Sequence, residues 1–169
     1  MIDTVATVTV GIERLSGLHF SEHRSDLFGL HQDHWSEVAK FQHLTKVDPD
    51  VSSYLRLEKE GRLLVIIARE AGEIVGYSAH VIANHPHYRN LMIAQDDLHY
   101  LVPRLRKTGV HQRMRVLALQ ELKRRNVQIV TARTKFGHEH DNGLRAIGFE
   151  PMDLVYACDL TQWSPPMEG

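Results

Sequence analysis

The feature that most constrains this sequence is the order of residues within positions 98–114. An apolar run ends at Val102, Pro103 follows it, and an amphipathic pattern of helical spacing starts after Gly109. This order predicts a strand that passes through a short turn into a helix. The first N–H groups of such a helix have no partner within it, and they lie just beyond the end of a strand.

The turn between this strand and this helix has the chemistry of an anion site. A helix N-terminus carries about half a positive charge, and its N–H groups point at whatever lies in front of it. Cationic side chains stand in the same turn: Arg104, Arg106 and Lys107. Gly109 has no Cβ, so a ligand can approach the backbone closely. We therefore predict a phosphate-binding turn, with a merely solvated basic turn as the alternative.

Neither of two common phosphate-binding fingerprints is present, because the sequence has no G-x-x-x-x-G-K-[ST] and no G-x-G-x-x-G. The order that is present, Arg106-x-x-Gly109-x-His111 after a strand, resembles the Arg/Gln-x-x-Gly-x-Gly/Ala turn of the GCN5-related N-acetyltransferases. In that family the turn and the following helix hold the pyrophosphate of acetyl-coenzyme A. His111 departs from the pattern. Its ring either crowds the pyrophosphate or turns away and donates a hydrogen bond.

The remaining pattern predicts an α+β fold with the element order β-α-α-β-β-β-α-β-α-β. Strands are expected over residues 4–13, 63–69, 74–82, 91–102, 127–132 and 152–160, and a polar loop over 84–90. Helices are expected within 12–43, from Asp48-Pro49 to Gly61, after Gly109, and over 140–147. The order also resembles the acetyltransferase fold, as do Gly76-Tyr77 and Gly148-Phe149. The resemblance implies a mixed, mostly antiparallel sheet flanked by helices.

Length and composition predict one globular domain over residues 1–169, with 161–169 as an irregular tail, since 43% of the 169 residues are hydrophobic. A net charge of −1 disfavours a nucleic-acid coat or a membrane surface. No apolar run approaches transmembrane length. The single cysteine, Cys158, excludes an intrachain disulfide, and the first residues lack a signal-peptide pattern. We expect a cytoplasmic protein.

The resemblance implies which residues hold acetyl-coenzyme A. In the family the pantetheine arm lies along the fourth strand after a bulge, and a main-chain N–H polarises the thioester carbonyl. The backbone of Leu101 and Val102 should therefore pair with this arm, and the turn should hold the pyrophosphate. The expected cofactor-binding residues are Leu101, Val102, Arg106, Lys107, Thr108, Gly109, Val110 and His111.

Acetyl transfer to an amine also needs a group that takes the amine's proton. The family often uses a carboxylate of the fourth strand, which implies Asp97 here, with His99 beside it as partner or substitute base. Strict alternation places Asp97 and His99 on one face, whereas a bulge moves this pattern by one residue. An Asp97 that only forms a structural ion pair is the alternative of equal weight.

The general acid is where the sequence departs from the family. Many members place a tyrosine four residues before the Gly-Phe turn, but Leu144 stands there. Three options remain: His138 or His140 substitutes, the thiolate leaves unassisted, or the protein no longer catalyses. Twelve histidines include the pairs His31-x-x-His34, His85-x-His87 and His138-x-His140. These lack the partners of common zinc motifs, so we predict no metal and expect some histidines to line an acceptor pocket.

The leading hypothesis is an acetyl-coenzyme A-dependent N-acetyltransferase that acts on a small-molecule or protein amine. Dimers are common in the family, so the resemblance allows a homodimer, and the sequence itself leaves the oligomeric state open. A non-catalytic acyl-coenzyme A-binding module is the first alternative, motivated by Leu144 and His111. Modification of a nucleic-acid base is a weaker one. Its motives are the basic helix face (Arg113, Arg115, Lys123, Arg124, Arg125) and the similarity of residues 34–39, 48–50 and 134–141 to members encoded by tailed phages and prophages.

Overall fold

A computed structural model describes residues 7–18, 26–134 and 141–165. Its strands and helices, in chain order, are β1 (Val8–Glu13), α1 (Asp26–Val38), α2 (Val51–Lys59), β2 (Leu63–Glu70), β3 (Glu73–His85), β4 (Tyr88–Leu101), α3 (Val110–Arg124), β5 (Ile129–Thr131) and α4 (Asp141–Arg145). One sheet has the order β1-β2-β3-β4-β5. The first four strands are antiparallel, and β5 runs parallel to β4. The predicted α+β class and mixed sheet are confirmed.

Helices cover both faces of the sheet. Helix α3 packs on one face, where Met114 and Leu122 meet Leu64 and Ile66 of β2 in a fully buried cluster. Helices α1 and α2 pack on the other face, against a second cluster that contains Ile67. The two-sided cover explains why β2 is apolar at successive positions instead of alternating. Burial of this hydrocarbon, at about 25 cal/mol per Å², is the main favourable term for folding.

Of the two hairpins in the sheet, β2–β3 was predicted from the sequence and β3–β4 was not. The predicted β2–β3 hairpin is confirmed, with Ala71 and Gly72 at φ 49° and 92° in its two-residue turn. The predicted loop over 84–90 is wrong, because β3 and β4 pair as far as His85 and Tyr88. Only Pro86 and His87 form that turn, so the missing amide of proline interrupts no ladder. The arms are polar because they project into solvent.

Helix boundaries shift slightly from the prediction. The N-cap of α2 is Asp50, not Asp48, and its carboxylate accepts a 3.0 Å hydrogen bond from the Ser53 N–H. Gly61, at φ 71°, follows the helix end as expected. Strand β1 is found, although residues 4–6 lie outside the described residues. Strand β5 is shorter than predicted, and α4 is found, with His140 outside the described residues.

The predicted last strand over 152–160 is wrong. Residues 151–159 form no ladder with the five described strands, and their side chains are largely exposed, including Leu154 and Tyr156. The sheet ends at the three-residue β5 instead. Alternating apolar residues fit a strand, but a strand also needs main-chain partners, which an alternating pattern does not supply.

Candidate active site

The site is organised by a bulge in β4. On β3, Ala79 pairs with Leu98 and His80 pairs with Asp96, so Asp97 is an extra residue without a partner. The insertion sends Asp97 to the face of α1 and α2 and returns His99 to the α3 face. Of the two patterns that the sequence allowed, the bulged one is present, and Asp97 and His99 therefore lie on opposite faces. The pairing of β4 with β5 ends at Gln95, so the bulge lies where the two strands part.

Asp97 is exposed and accepts a short hydrogen bond from the Tyr54 hydroxyl of α2. Burial of Tyr54 and this hydrogen bond both raise the pKa of the phenol. Tyr54 therefore stays protonated and acts as the donor, so the carboxylate remains an acceptor. Asp97 has no ion pair among the described residues. This disfavours a purely structural salt bridge as its role.

His99 is directed at α3 and pairs with His111, the second residue of that helix. Their rings stack at a centroid distance of 4.8 Å, and His99 Nε2 lies 2.7 Å from His111 Nδ1. His99 keeps a partly exposed edge, but its Nδ1 atom is buried and has no hydrogen-bond partner in the described part of the chain. Burial lowers the pKa of His99 well below its usual value, and nearby Arg115 lowers it further. The imidazole is neutral at physiological pH.

The orientation of the His111 ring shows whether it crowds the expected pyrophosphate position or turns away from it. Its ring stacks on His99 and forms a hydrogen bond with it, so it turns toward the sheet. The bulky residue at the family's Gly/Ala position therefore leaves the anion site open. The hydrogen-bond partner that holds the His111 ring in this orientation is His99, which lies beneath α3.

Next to this pair, β3, β4 and α3 enclose a polar cluster that sequence analysis missed. Arg115 was expected to face water, but it lies between α3 and the sheet, with Nη1 3.3 Å from Asp96 Oδ2. Burial raises the pKa of Asp96 to about 7, against the opposing effect of Arg115. Burial lowers the pKa of His80 to about 4. The helix pattern gave no signal for this, because Arg115 occupies a position flanking the apolar stripe.

The predicted phosphate turn keeps its anion-binding backbone. Gly109, at φ 81°, precedes α3 without a side-chain cap, and a Cβ there would meet nothing within 4 Å. Within the described residues, no backbone carbonyl accepts from the N–H groups of Lys107, Gly109, Val110 or Gln112. The Thr108 N–H and hydroxyl both donate to the Leu105 carbonyl and are engaged. Four donors therefore remain at the start of a long helix.

The basic side chains of the turn are mostly paired. Arg106 makes a bidentate ion pair with Glu37 of α1, and its Nε donates to the Leu101 carbonyl over 2.9 Å. Arg104 pairs with Glu70. In the part of the chain that the structure describes, Lys107 is the cation of this turn that has no carboxylate partner. Arg106, an expected cofactor-binding residue, thus joins the turn to α1 in this structure.

Some main-chain groups that follow the bulge already form hydrogen bonds within the protein. The Val102 N–H donates to the Val75 carbonyl over 3.0 Å, and the Val102 carbonyl accepts from Leu105. Val102 therefore has its N–H engaged with β3, and its carbonyl oxygen keeps one lone pair for a further donor. Because successive peptide groups of a strand point to opposite sides, the Leu101 N–H is directed away from β3, toward the gap between β4 and β5. A Cβ on Gly76 would come within 2.7 Å of Leu101, so only glycine permits this close strand approach.

The predicted general-acid position offers no hydroxyl, since Leu144 is a buried apolar residue of α4. His138 and His140 lie outside the described residues. Within the described ranges, no three His, Cys, Asp or Glu side chains are arranged to hold a metal ion. Over the same ranges, no helix is both long and apolar enough to cross a bilayer.

No protein-family model and no curated protein matches this sequence. Solved structures do. A protein described as a predicted acetyltransferase from Clostridium acetobutylicum, solved with acetyl-CoA, has a TM-score of 0.66 at 14% identity, over 93% of this chain and 99% of its own. The ribosomal-protein-alanine N-acetyltransferase of Brucella melitensis has a TM-score of 0.61 at 15% identity, over 90% of this chain and 98% of its own. The glucosamine-6-phosphate N-acetyltransferase of Arabidopsis thaliana has a TM-score of 0.63 at 9% identity, over 91% of this chain and 99% of its own.

The fold is that of the GCN5-related N-acetyltransferases. Within this acetyltransferase fold, sequence analysis located the strand, the turn and the helix of the predicted anion site. It missed Tyr54, Glu37 and the Asp96–Arg115 pair. The only signal for these was the adjacent Asp96-Asp97, since two carboxylates in one strand are costly to bury together.

Proposed function

We propose that this chain is an acetyl-coenzyme A-dependent N-acetyltransferase that acts on an amine of a small molecule or a protein. The observation that carries the proposal is the open helix N-terminus at Gly109, which follows the strand whose bulge exposes the Asp97 carboxylate. The acetyltransferase fold supports the same activity.

Free donors and one unpaired cation fit the diphosphate of the coenzyme. The N–H groups of Lys107, Gly109, Val110 and Gln112 would hold it, and the Lys107 ammonium adds positive charge. The outward N–H of Leu101 would polarise the thioester carbonyl. Acetyl-coenzyme A supplies the activated acetyl group when it is bound.

Asp97 takes the proton that the amine loses as its nitrogen attacks the carbonyl carbon, directly or through a water molecule. The hydrogen bond from Tyr54 fixes the carboxylate in position for this transfer. When the carbon–sulfur bond breaks, coenzyme A leaves as a thiolate and takes its proton from solvent, since Leu144 provides none. We assign His99 a supporting role, because its neutral ring faces α3 and holds His111 away from the diphosphate.

A thiol-release assay over a broad panel of amines tests the proposal, with mass spectrometry of the acetylated product. The expected result is coenzyme A release that depends on one class of amine, with equal amounts of thiol and acetylated amine formed. Acetyl-coenzyme A binding without release for any amine would favour the non-catalytic module, for which the buried Leu144 is the specific observation. No binding at all would contradict both.

Nucleic-acid modification loses its support in the basic helix face. Arg115 is paired with Asp96, Arg124 and Arg125 are paired with Glu121, and Arg113 donates to the Val8 carbonyl. A phosphate backbone would have to compete with these contacts. Salt-sensitive DNA binding would contradict this conclusion.

We also propose a cytoplasmic homodimer, related to phage- or prophage-encoded members. The lone Cys158 supports a reducing compartment, and the exposed apolar residues of segment 152–160 support self-association. Residues 34–39, 48–50 and 134–141 of the sequence carry the phage-like similarity. A monomer at all concentrations in sedimentation velocity would contradict the dimer, and a genomic setting without phage genes would contradict the kinship.

A further inference from the structure

A pocket opens on the face of the sheet that carries α1 and α2, beside the bulge of β4. Its volume is about 460 Å³, counted to its opening into solvent. Aliphatic side chains from the sheet and from the segments that cover it form most of its wall: Leu15, Leu27, Leu63, Val65, Ile67 and Leu98. The wall is suited to an apolar ligand.

The polar groups of this wall are few and uncharged. Burial lowers the pKa of His31, so its ring is neutral at physiological pH. Tyr54 and Tyr77 present phenol groups, and the Tyr77 hydroxyl is 3.0 Å from His34 Nδ1. Among the described residues that line the pocket, none is an aspartate or glutamate. A ligand with several ammonium groups would therefore lose its hydration here without meeting several counter-charges.

One carboxylate lies at the edge of this pocket. Tyr54 lines the wall and donates its hydroxyl hydrogen to Asp97, and Leu98, also in the wall, is the next residue along β4. An amine that reaches Asp97 from this side would leave the rest of its molecule against the aliphatic wall. Charge and shape together thus allow one ammonium at the rim and an uncharged apolar body inside.

We propose that the acceptor is a monoamine whose amino group is carried by an apolar body, and that the pocket under α1 and α2 binds this body. The inference rests on the proposed acetyltransferase function and narrows its substrate class. It disfavours polycationic acceptors such as aminoglycosides or polyamines, which are among the amines that the proposed reaction would otherwise allow.

The test compares hexylamine with aminoethoxyethanol, two linear primary amines with equal numbers of non-hydrogen atoms, and adds spermidine as a polycation. We expect kcat/KM for hexylamine to exceed the values for the other two by at least about tenfold. The ether amine is the weaker base and has more free amine at neutral pH, so this bias opposes the expectation. Equal or better use of aminoethoxyethanol or spermidine would overturn the inference.

Calorimetry of amine binding, measured apart from acetyl transfer, separates failure of the inference from failure of the proposed function. Selective binding of hexylamine without thiol release would contradict the transferase and support the pocket assignment. Thiol release without any preference for hexylamine would support the transferase and overturn the pocket assignment.

A matched pair of variants on β3 locates the effect. Ala79 lines the pocket, whereas Ala83, four residues along the same strand, does not. Ala79→Leu should raise KM for hexylamine about tenfold with unchanged acetyl-coenzyme A affinity, and Ala83→Leu should leave KM unchanged. A folded Ala79→Leu protein with wild-type KM would overturn the assignment. The comparison of amines on the wild-type protein decides the question even where Ala79→Leu does not fold.

Discussion

Asp97 has its position because β4 contains one residue more than β3 opposite it. The sequence contains Asp96, Asp97 and His99 within four positions of one strand. Strict alternation would place Asp97 and His99 on the same face, which the bulge prevents. The bulge gives each residue a separate environment, with Asp97 exposed beside Tyr54, and Asp96 buried beside Arg115. A bulge depends on the pairing register with a second strand, so the residues of β4 alone cannot specify it.

The role of Asp97 predicts a loss of turnover without a loss of coenzyme binding. Asp97→Asn keeps the shape and the contact with Tyr54 but cannot accept a proton, so kcat should fall by about 10²-fold or more. Acetyl-coenzyme A affinity should stay at the wild-type value, because the diphosphate donors lie in the turn before α3. Steady-state kinetics and calorimetry check the two quantities. Wild-type kcat across the pH range would show that Asp97 transfers no proton.

At the scale of elements, β3, β4 and α3 meet around polar groups where an ordinary layer would be apolar. Asp96 and Arg115 form a buried ion pair, and neither Asp96 Oδ1 nor His80 Nδ1 has a hydrogen-bond partner among the described residues. Amphipathic periodicity predicted α3 and its apolar stripe correctly, with Met114 and Leu122 buried. It failed for Arg115, because a long side chain at the edge of the stripe can turn under the helix.

This cluster makes stability depend on pH in a defined direction. The folded chain keeps a proton on Asp96 up to about pH 7, whereas the unfolded chain releases it near the ordinary aspartate pKa of 3.8. The contribution of Asp96 is therefore fully present below pH 3.8 and is lost as pH rises through about 7. His80, whose pKa falls from 6.5 to about 4, acts oppositely. Its contribution is present above 6.5 and lost as pH falls through about 4.

Asp96→Asn should remove the pH-dependent contribution of Asp96 to stability and leave that of His80. The free energy of unfolding of this variant, relative to wild type, should therefore rise between about pH 4.5 and about pH 7.5, by on the order of 2 kcal/mol. Urea unfolding at both pH values measures the difference. A constant offset between the two proteins at all pH values would contradict the buried, protonated Asp96.

At the scale of the whole molecule, the order of elements was predictable because each strand, helix and turn has a local signal. The β2–β3 hairpin at Ala71-Gly72 and the helix after Gly109 are examples. Contacts between distant parts of the chain had no such signal, as the ion pair of Arg106 with Glu37 shows. For the same reason the segment 152–160 was misassigned, since alternation does not tell whether a neighbouring strand is available.

The account depends on the turn at Gly109 as a diphosphate site, and calorimetric titration of acetyl-coenzyme A tests this most directly. Gly109→Glu places a negative charge and a side chain at the helix N-terminus, and its control, Gly109→Ala, has the same unfavourable positive φ without the charge. We expect binding to the wild-type protein, weaker binding to Gly109→Ala, and affinity at least about 100-fold lower for a folded Gly109→Glu. Equal affinity of wild type and Gly109→Glu would contradict the account, as would no binding to the wild-type protein.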